Sequence, residues 1–486
     1  MKTLFSASAL IFVASVCTPQ SLQAQNYWDG SIDTEWAGDG TEGSPYLIGT
    51  AAELAGLAER TNADETFEGK FFRLTADLWL SDANMAADER PLWTPIGAYS
   101  IYNDDPETNP GGFYATEHWF KGTFDGDGHT IHNLWYSGTT DFDDWNDPFG
   151  SGQLDFTAWY KALFGLLDGA TIRNVRLENA NVGGTASIGG YCIRALNSTF
   201  DNIYISGAIK SGNIEAGGSA AGVAVEATDC KFTDCHVDAM VYAKSATGAL
   251  VGRLKGASTV ENCTVTGSVT GCITLGGFVG ASGPAEEGGT ERPVITHCSS
   301  TAEVTVIPGR NQGTGAGGFV GINEGTITRC YSTGKVHVTT GYGAGFCDSN
   351  RGIISTCYST GDVYNDEYGV QLAGFVYENG YSLAYDEKAG GIVENCFSTG
   401  KVYAPDAPSD VIATPTRIYG FAGGNPVDSG SRLVNCYYDK TATPEITFHT
   451  FIGEFGVSRE HLQLLLSAKP YISESNFLKG RSWAYF

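Results

Sequence analysis

The chain is short of positive charge: 29 lysines and arginines stand against 55 aspartates and glutamates, a formal net charge of −26. That balance gives no cationic footprint for a phosphate backbone, so nucleic acid is not an expected partner. Highly sulfated glycans are disfavoured for the same reason unless a cation bridges. The chain also lacks any run near the roughly 18 uninterrupted apolar residues that a membrane helix needs. Its twelve cysteines include no Cys-x-x-Cys pair, which removes the usual zinc spacing. His-Glu-x-x-His is missing too; Glu117-His118 and Glu460-His461 are isolated and in the wrong order. No catalytic constellation stands out, and an enzyme is not the expected class.

The first residues read as an export signal. Lys2 supplies a positive start, Leu4 to Val16 an apolar stretch, and Ser21-Leu22-Gln23-Ala24 a small-residue cleavage site. Gln25 is then the first mature residue. Val16 before Cys17 is bulkier than a lipoprotein site favours, so lipidation is not expected. Glycine, at 64 residues, points to many turns.

The turns belong to a repeat. Taking a recurring cysteine as ruler, equivalent positions are Leu134, Val175, Ile203, Cys235, Cys263, Cys298, Cys330, Cys357, Cys396 and Cys436, spaced 27 to 41 residues apart. Each unit opens on an apolar step such as Gly317-Gly318-Phe319-Val320-Gly321. A turn follows, then a short strand such as Thr326-Ile327-Thr328, then the cysteine and a second strand. Runs this short, alternating and punctuated by glycine are strands. One unit cannot bury its own apolar face, so copies stack about 4.8 Å apart as coils of a parallel β-helix. The fold class is therefore all-β, a right-handed parallel β-helix of about ten coils, the hand following from the crossover rule.

Two ladders are expected along its core. One runs through Leu163, Tyr191, Leu250, Phe278, Phe319, Phe346, Phe375 and Phe421, the other through the cysteine series. Cysteines in slots that Leu, Val and Ile fill elsewhere read as buried thiols acting as small hydrophobes. Neighbouring coils would also put them within disulfide reach. The preceding residue is Asn or Asp in seven coils (Asn133, Asn174, Asn202, Asp234, Asn262, Asn395 and Asn435), which fits a corner in the left-handed region.

The Gly-Phe-Val-Gly step followed by Cys-Tyr-Ser-Thr-Gly-x-Val resembles the GLUG-motif repeats of exported bacterial surface proteins, many from Bacteroides-like bacteria. The lead-in Gly43-Ser44-Pro45-Tyr46-Leu47-Ile48, then Trp93-Thr94-Pro95-Ile96-Gly97 and Phe120-Lys121-Gly122-Thr123-Phe124-Asp125-Gly126-Asp127-Gly128, is similar as well. The resemblance covers roughly Tyr27 to Tyr438. It implies an exported β-solenoid but no settled activity. Some GLUG proteins are immunoglobulin-cleaving metalloproteases, and the absent zinc motif means that this activity does not carry over.

The organisation expected is a signal peptide at 1–24, an N-terminal cap at 25–98, the β-helix at 99–440 and a C-terminal cap at 441–486. Thr50 and Glu53 form a capping box opening a helix to about Arg60. Ser458 precedes a second helical run, Arg459 to Ser467, and both helices would cover naked sheet ends.

Function on a solenoid sits in insertions. Pro284 to Pro293 and Glu378 to Gly390 leave one corner; Asp141 to Tyr160 and Pro405 to Arg417 leave another. A fifth insertion runs from Tyr99 to His118. The N-terminal ones carry Tyr102, Tyr114, Trp119, Tyr136, Trp145 and Trp159, interleaved with Asp143, Asp144 and Asp147. Aromatic faces beside carboxylates suit sugar rings, although the same grouping also fits a packed insertion with an acidic rim. Asp143, Asp144 and Asp147 would be the oxygen ligands if a Ca²⁺ ion were held; otherwise no cofactor is implied. Asp125-Gly126-Asp127-Gly128-His129 reads as a turn rather than a catalytic pair. The expected function is an exported, adhesin-like protein at the cell surface that binds a glycan or a surface macromolecule. The alternatives are a polysaccharide hydrolase or lyase, and a purely structural envelope protein.

Overall fold

The computed structural model describes residues 26–87, 89–102, 114–136, 160–212, 218–308, 315–380, 390–405, 416–425, 430–439, 442–443, 455–457 and 483–485. They form a parallel β-helix. Each coil visits four faces in the same order, as Gly315–Gly317, Val320–Asn323, Thr326–Thr328 and then Tyr331–Ser332 with Val336–Val338 illustrate. Face one has nine strands and face two ten; face three has twelve, from Tyr46–Ile48 to Arg432–Val434. Face four carries the strands after the cysteine, split in two in the later coils. Face two keeps its register from coil to coil, as Val320 pairs with Cys347 and Cys347 with Val376; face four has a bulge between Leu177 and Ala180.

Face three exceeds the ten coils of the cysteine series because winding starts earlier. Tyr46 pairs in parallel with Phe72, and Phe72 with Phe124, inside the segment expected to be a cap. Those two strands precede the first residue of the cysteine series, so the repeat motif does not mark them. The helix spans Ala51–Asn62, with Thr50 Oγ1 accepting from Glu53 N at 3.2 Å and Glu53 Oε2 accepting from Thr50 N at 2.9 Å. It buries Leu54, Leu57 and Ala58. The second expected helix, Arg459 to Ser467, and the export signal at 1–24 lie outside the described residues.

Inside, both ladders are present. Phe278, Phe319, Phe346, Phe375 and Phe421 are fully buried, with successive rings 4.6 to 4.9 Å apart and within 7° of parallel. Coil spacing sets that distance; because it exceeds ring thickness, the rings slip into an offset stack. Cys235, Cys263, Cys298, Cys330, Cys357, Cys396 and Cys436 are buried free thiols, and none of the eleven described cysteines is in a disulfide. The sulfurs bond instead. Cys330 Sγ donates to the Thr328 carbonyl at 3.2 Å and accepts from Cys298 N at 3.4 Å. Desolvation pushes the Cys330 thiol up, so it stays protonated and unreactive.

The corner before the cysteine is left-handed in the nine coils from Asn174 to Asn435, not only in the six with Asn or Asp. Leu134 does not share the slot expected for it: Arg173 pairs with Asp125 and Glu178 with His132, so Leu134 lies further along face four, beside Asn181. His297, Arg329 and Thr356 have φ of +54°, +54° and +58°. A left-handed L-residue costs roughly 1–2 kcal/mol, and a β-branched one suffers most. Asn lessens the cost and bonds along the column, as Asn202 Nδ2 does to Asn174 Oδ1 at 2.9 Å. Thr356→Asn is therefore expected to stabilise the protein by about 1 kcal/mol. Urea denaturation would check it; an unchanged or lowered midpoint would refute the strain account.

Candidate functional site

The Tyr99–His118 insertion is an antiparallel hairpin, Tyr99–Tyr102 against Tyr114–Glu117, set among the parallel strands of the coils. It interrupts a coil at the entry to face two. Gly97 O accepts from Leu166 N at 2.7 Å before the hairpin, and Trp119 pairs with Leu166 after it. His118 N donates to Ala98 O at 3.0 Å and closes the foot. Gly97 has φ +79°, and a Cβ there would crowd the Leu166 and His118 carbonyls. Only glycine lets the chain leave and rejoin the coil here.

At the foot, the Tyr99 ring meets Tyr160 edge-on, with centroids 4.5 Å apart. Arg194 lies 5.8 Å from the Tyr99 centroid and 3.2 Å from Glu117. Burial, with Tyr99 nearby, pushes the Tyr160 hydroxyl above its ordinary range. Leu166 shares a face-two column with the part-exposed Arg194, Glu226 and Arg253, yet it is 1% exposed beside this foot. Trp119 is half-buried next to it. The foot is thus a small packed cluster with an indole and two charged groups at its edge.

The expected site residues fall into three groups. Tyr102 and Tyr114 are a cross-strand pair of this hairpin, and Trp119 opens the face-two strand that follows it. Tyr136 does not belong to a surface site: it is 4% exposed, donates its hydroxyl to Ala162 O at 2.7 Å, and packs in the core. Its inward place follows from the coil, which turns the ring under Lys161. Asp143, Asp144, Trp145, Asp147 and Trp159 lie outside the described residues. The Asp125–His129 stretch is a turn, with Asp127 at φ +50° and Gly128 at φ +85°. Asp125 accepts from Arg173 Nε at 2.9 Å, and among its partners this guanidinium helps hold the carboxyl below its ordinary range.

Tyr160 and Arg194 entered no expected site. Tyr160 ends an insertion and Arg194 sits in an ordinary strand, so only the coil stacking brings them to Tyr99. Two outward ring columns on face four were also unforeseen: Tyr331–Tyr358–Phe397 and His337–Tyr364–Tyr403, with neighbours 4.6 to 5.4 Å apart. The signal was available, an aromatic ring one residue after the cysteine for the first column and seven residues after it for the second, in successive repeats. In such a column each ring covers its neighbours' faces, leaving mostly edges for solvent. Sugar stacking needs a free face, so these columns read as lateral packing. Burial lifts the Tyr358 hydroxyl to about 12.

Two corners carry the remaining insertions as expected. Pro284 to Pro293 and Glu378 to Gly390 both join face two to face three, and Asp141 to Tyr160 and Pro405 to Arg417 both join face four to face one. Among the described residues no group of three or more His, Cys, Asp or Glu could hold a metal ion. No helix among them is long and apolar enough to cross a membrane.

Residues 244–270 and 312–337 match the GLUG motif. Halomucin of Haloquadratum walsbyi is 31% identical over 186 residues, 37% of this chain but only 2% of that protein's length. A crystal structure from Bacteroides ovatus, titled as a candidate immunoglobulin A1 protease, matches 79% of this chain and 86% of its own at 19% identity, with a TM-score of 0.33. A structure titled IgA1 protease matches 81% of this chain and 22% of its own at 13% identity, with a TM-score of 0.35.

Proposed function

We propose that this GLUG-motif repeat protein is an extracellular binding protein, adhesin-like, which engages a glycan on a surface macromolecule at the hairpin insertion of face two. The observation that carries the reading is the hairpin foot, where the Tyr99–Tyr160 pair has Arg194 and Glu117 at its margin and half-buried Trp119 shares the face-two column of Leu166 and Arg194. An indole suits the apolar C–H face of a sugar ring, and charged side chains beside it suit the hydroxyls. The stacked coils behind supply a rigid mount, so little ordering entropy opposes binding. Reading the opening residues as an export signal supports an extracellular setting, where such ligands occur.

A glycan array probed with residues 25–486, with and without Ca²⁺, tests the reading. A saturable ligand is expected, and Trp119→Ala should weaken its binding at least about tenfold, the scale of a buried tryptophan anchor. Tyr331→Ala on face four should leave binding unchanged. A blank array, or equal loss from both substitutions, counts against the site.

A further inference from the structure

Asp348 stands where the three preceding coils of face two have no side chain. With Val320 paired to Cys347 and Ile322 to Ser349, the residue facing Asp348 is Gly321, and in the coils before it Gly280 and Gly252. Its carboxyl folds across the corner onto face one, over Gly315, where a Cβ would collide with Oδ2. Asp348 Oδ1 is closed off from solvent and has no hydrogen-bond partner among the described residues. The residue as a whole is part-exposed, but ionisation leaves this enclosed oxygen with neither water nor a donor, which is costly. In the next coil Ser349 pairs with Glu378, so a second carboxylate lies on the adjoining strand.

We propose that Asp348 and Glu378 form a proton-operated latch between consecutive coils: a proton on the Asp348 carboxyl keeps the two coils stacked, and its loss sets two carboxylates against each other across the seam. The surroundings offer Asp348 little relief. On face one, Tyr342 stacks on Tyr377 at 4.6 Å, and Tyr377 donates to Gln371 Oε1 at 3.0 Å, so that hydroxyl is engaged. Tyr419 adds another neutral phenol near Tyr377. Arg351 is bonded to Glu324 at 2.8 Å and draws Glu378 downward. Desolvation first, and then Glu378, lift the Asp348 carboxyl to about 7. Burial raises Glu378 as well.

The sign follows from proton binding. With a native value near 7 against an ordinary 3.8, the folded protein holds more protons than the unfolded chain between those values. Stability therefore falls as pH rises through that window. The loss is local, because a solenoid coil contacts only its neighbours.

Two measurements on the full chain decide the matter. Carboxyl NMR should show Asp348 titrating near neutrality; Glu378→Gln should move that midpoint downward by a measurable fraction of a unit. Hydrogen exchange, corrected for its intrinsic pH dependence, should show the amides of Cys347–Asn350 and Val376–Asn379 losing protection between pH 5.5 and 8. Asp348→Asn should flatten that loss while the coils around Phe200 and Phe232 stay unaffected. An Asp348 midpoint near 4, or protection in these strands equal at both pH values, would overturn the latch. If Asp348→Asn fails to fold, the Glu378→Gln shift and the wild-type exchange profile still decide it.

Discussion

Asn350→Ala is expected to destabilise the coils around it by about 4 kcal/mol, seen as early urea unfolding and lost amide protection at Gly325, Gly352 and Ile392. Asn350 is fully buried in a line of amides that runs parallel to the solenoid axis. Ser282 Oγ meets Asn323 Oδ1 at 3.0 Å, Asn323 Nδ2 donates to Asn350 Oδ1 at 2.8 Å, Asn350 Nδ2 to Asn379 Oδ1 at 2.7 Å, and Asn379 Nδ2 to Asn425 Oδ1 at 2.7 Å. Each amide also serves its own turn, as Asn350 Oδ1 does by accepting from Gly352 N at 3.2 Å. Removing Asn350 strips a partner from Asn323 Nδ2, Asn379 Oδ1 and Gly352 N together. At about 1–3 kcal/mol for each buried polar group left unmade, the sum is several kcal/mol even with partial rescue. Aligned amides also polarise one another, so the loss should spread along the line. Asn350→Asp is no remedy, because an ionised carboxylate cannot donate to Asn379. If Asn350→Ala unfolds at the wild-type midpoint, the ladder carries no stability and this account fails.

That ladder shows where sequence reading stopped. The phenylalanine and cysteine columns were legible because one residue type recurs at one place and apolar substitutes fill the gaps. The amides recur as regularly, four residues after each of the last four phenylalanines of the column: Asn323 after Phe319, Asn350 after Phe346, Asn379 after Phe375, Asn425 after Phe421, with Ser282 in that place after Phe278. They were passed over because a polar residue near a turn has a ready local explanation. Only burial shows that these side chains point inward and bond between coils. The left-handed corner was legible through its asparagines, whereas His297, Arg329 and Thr356 carry no chemical mark of it. Their backbone is imposed by the coils on either side, a tertiary effect that local propensity cannot report.

The candidate site was legible only in outline. Aromatic and acidic composition grouped Trp119 with Tyr136 and gave no way to separate the two, although the coil turns Tyr136 into the core. Composition knows nothing of which way a ring faces. Tyr99, Tyr160 and Arg194 meet because consecutive coils lie one above the other, and residues so far apart in sequence share no local pattern.

Phe346→Ala is the second large effect, expected to cost about 3–5 kcal/mol, the range for a buried phenylalanine truncated in place. The upper part of that range applies because this site cannot collapse. Phe319 and Phe375 cover both ring faces at 4.9 and 4.8 Å. The coils themselves are pinned one residue away: a Cβ at Gly345 would run into the Gly374 carbonyl, and one at Gly318 into the Gly345 carbonyl. Backbone already at contact distance there cannot move inward to fill a void, which is the physical use of the glycine directly before each phenylalanine of this column. Phe346→Leu should be far milder, about 1–2 kcal/mol, since Leu250 and Leu163 hold the equivalent slot at no exposure. Long repeat arrays need not unfold in one step, so the comparison belongs to hydrogen exchange within the Phe346 coil as well as to the urea midpoint. Equal losses for Ala and Leu would mean that ring stacking, and not filled volume, holds this column together. A loss below 1 kcal/mol for Ala would mean that the glycine contacts yield and the coils can close over the gap.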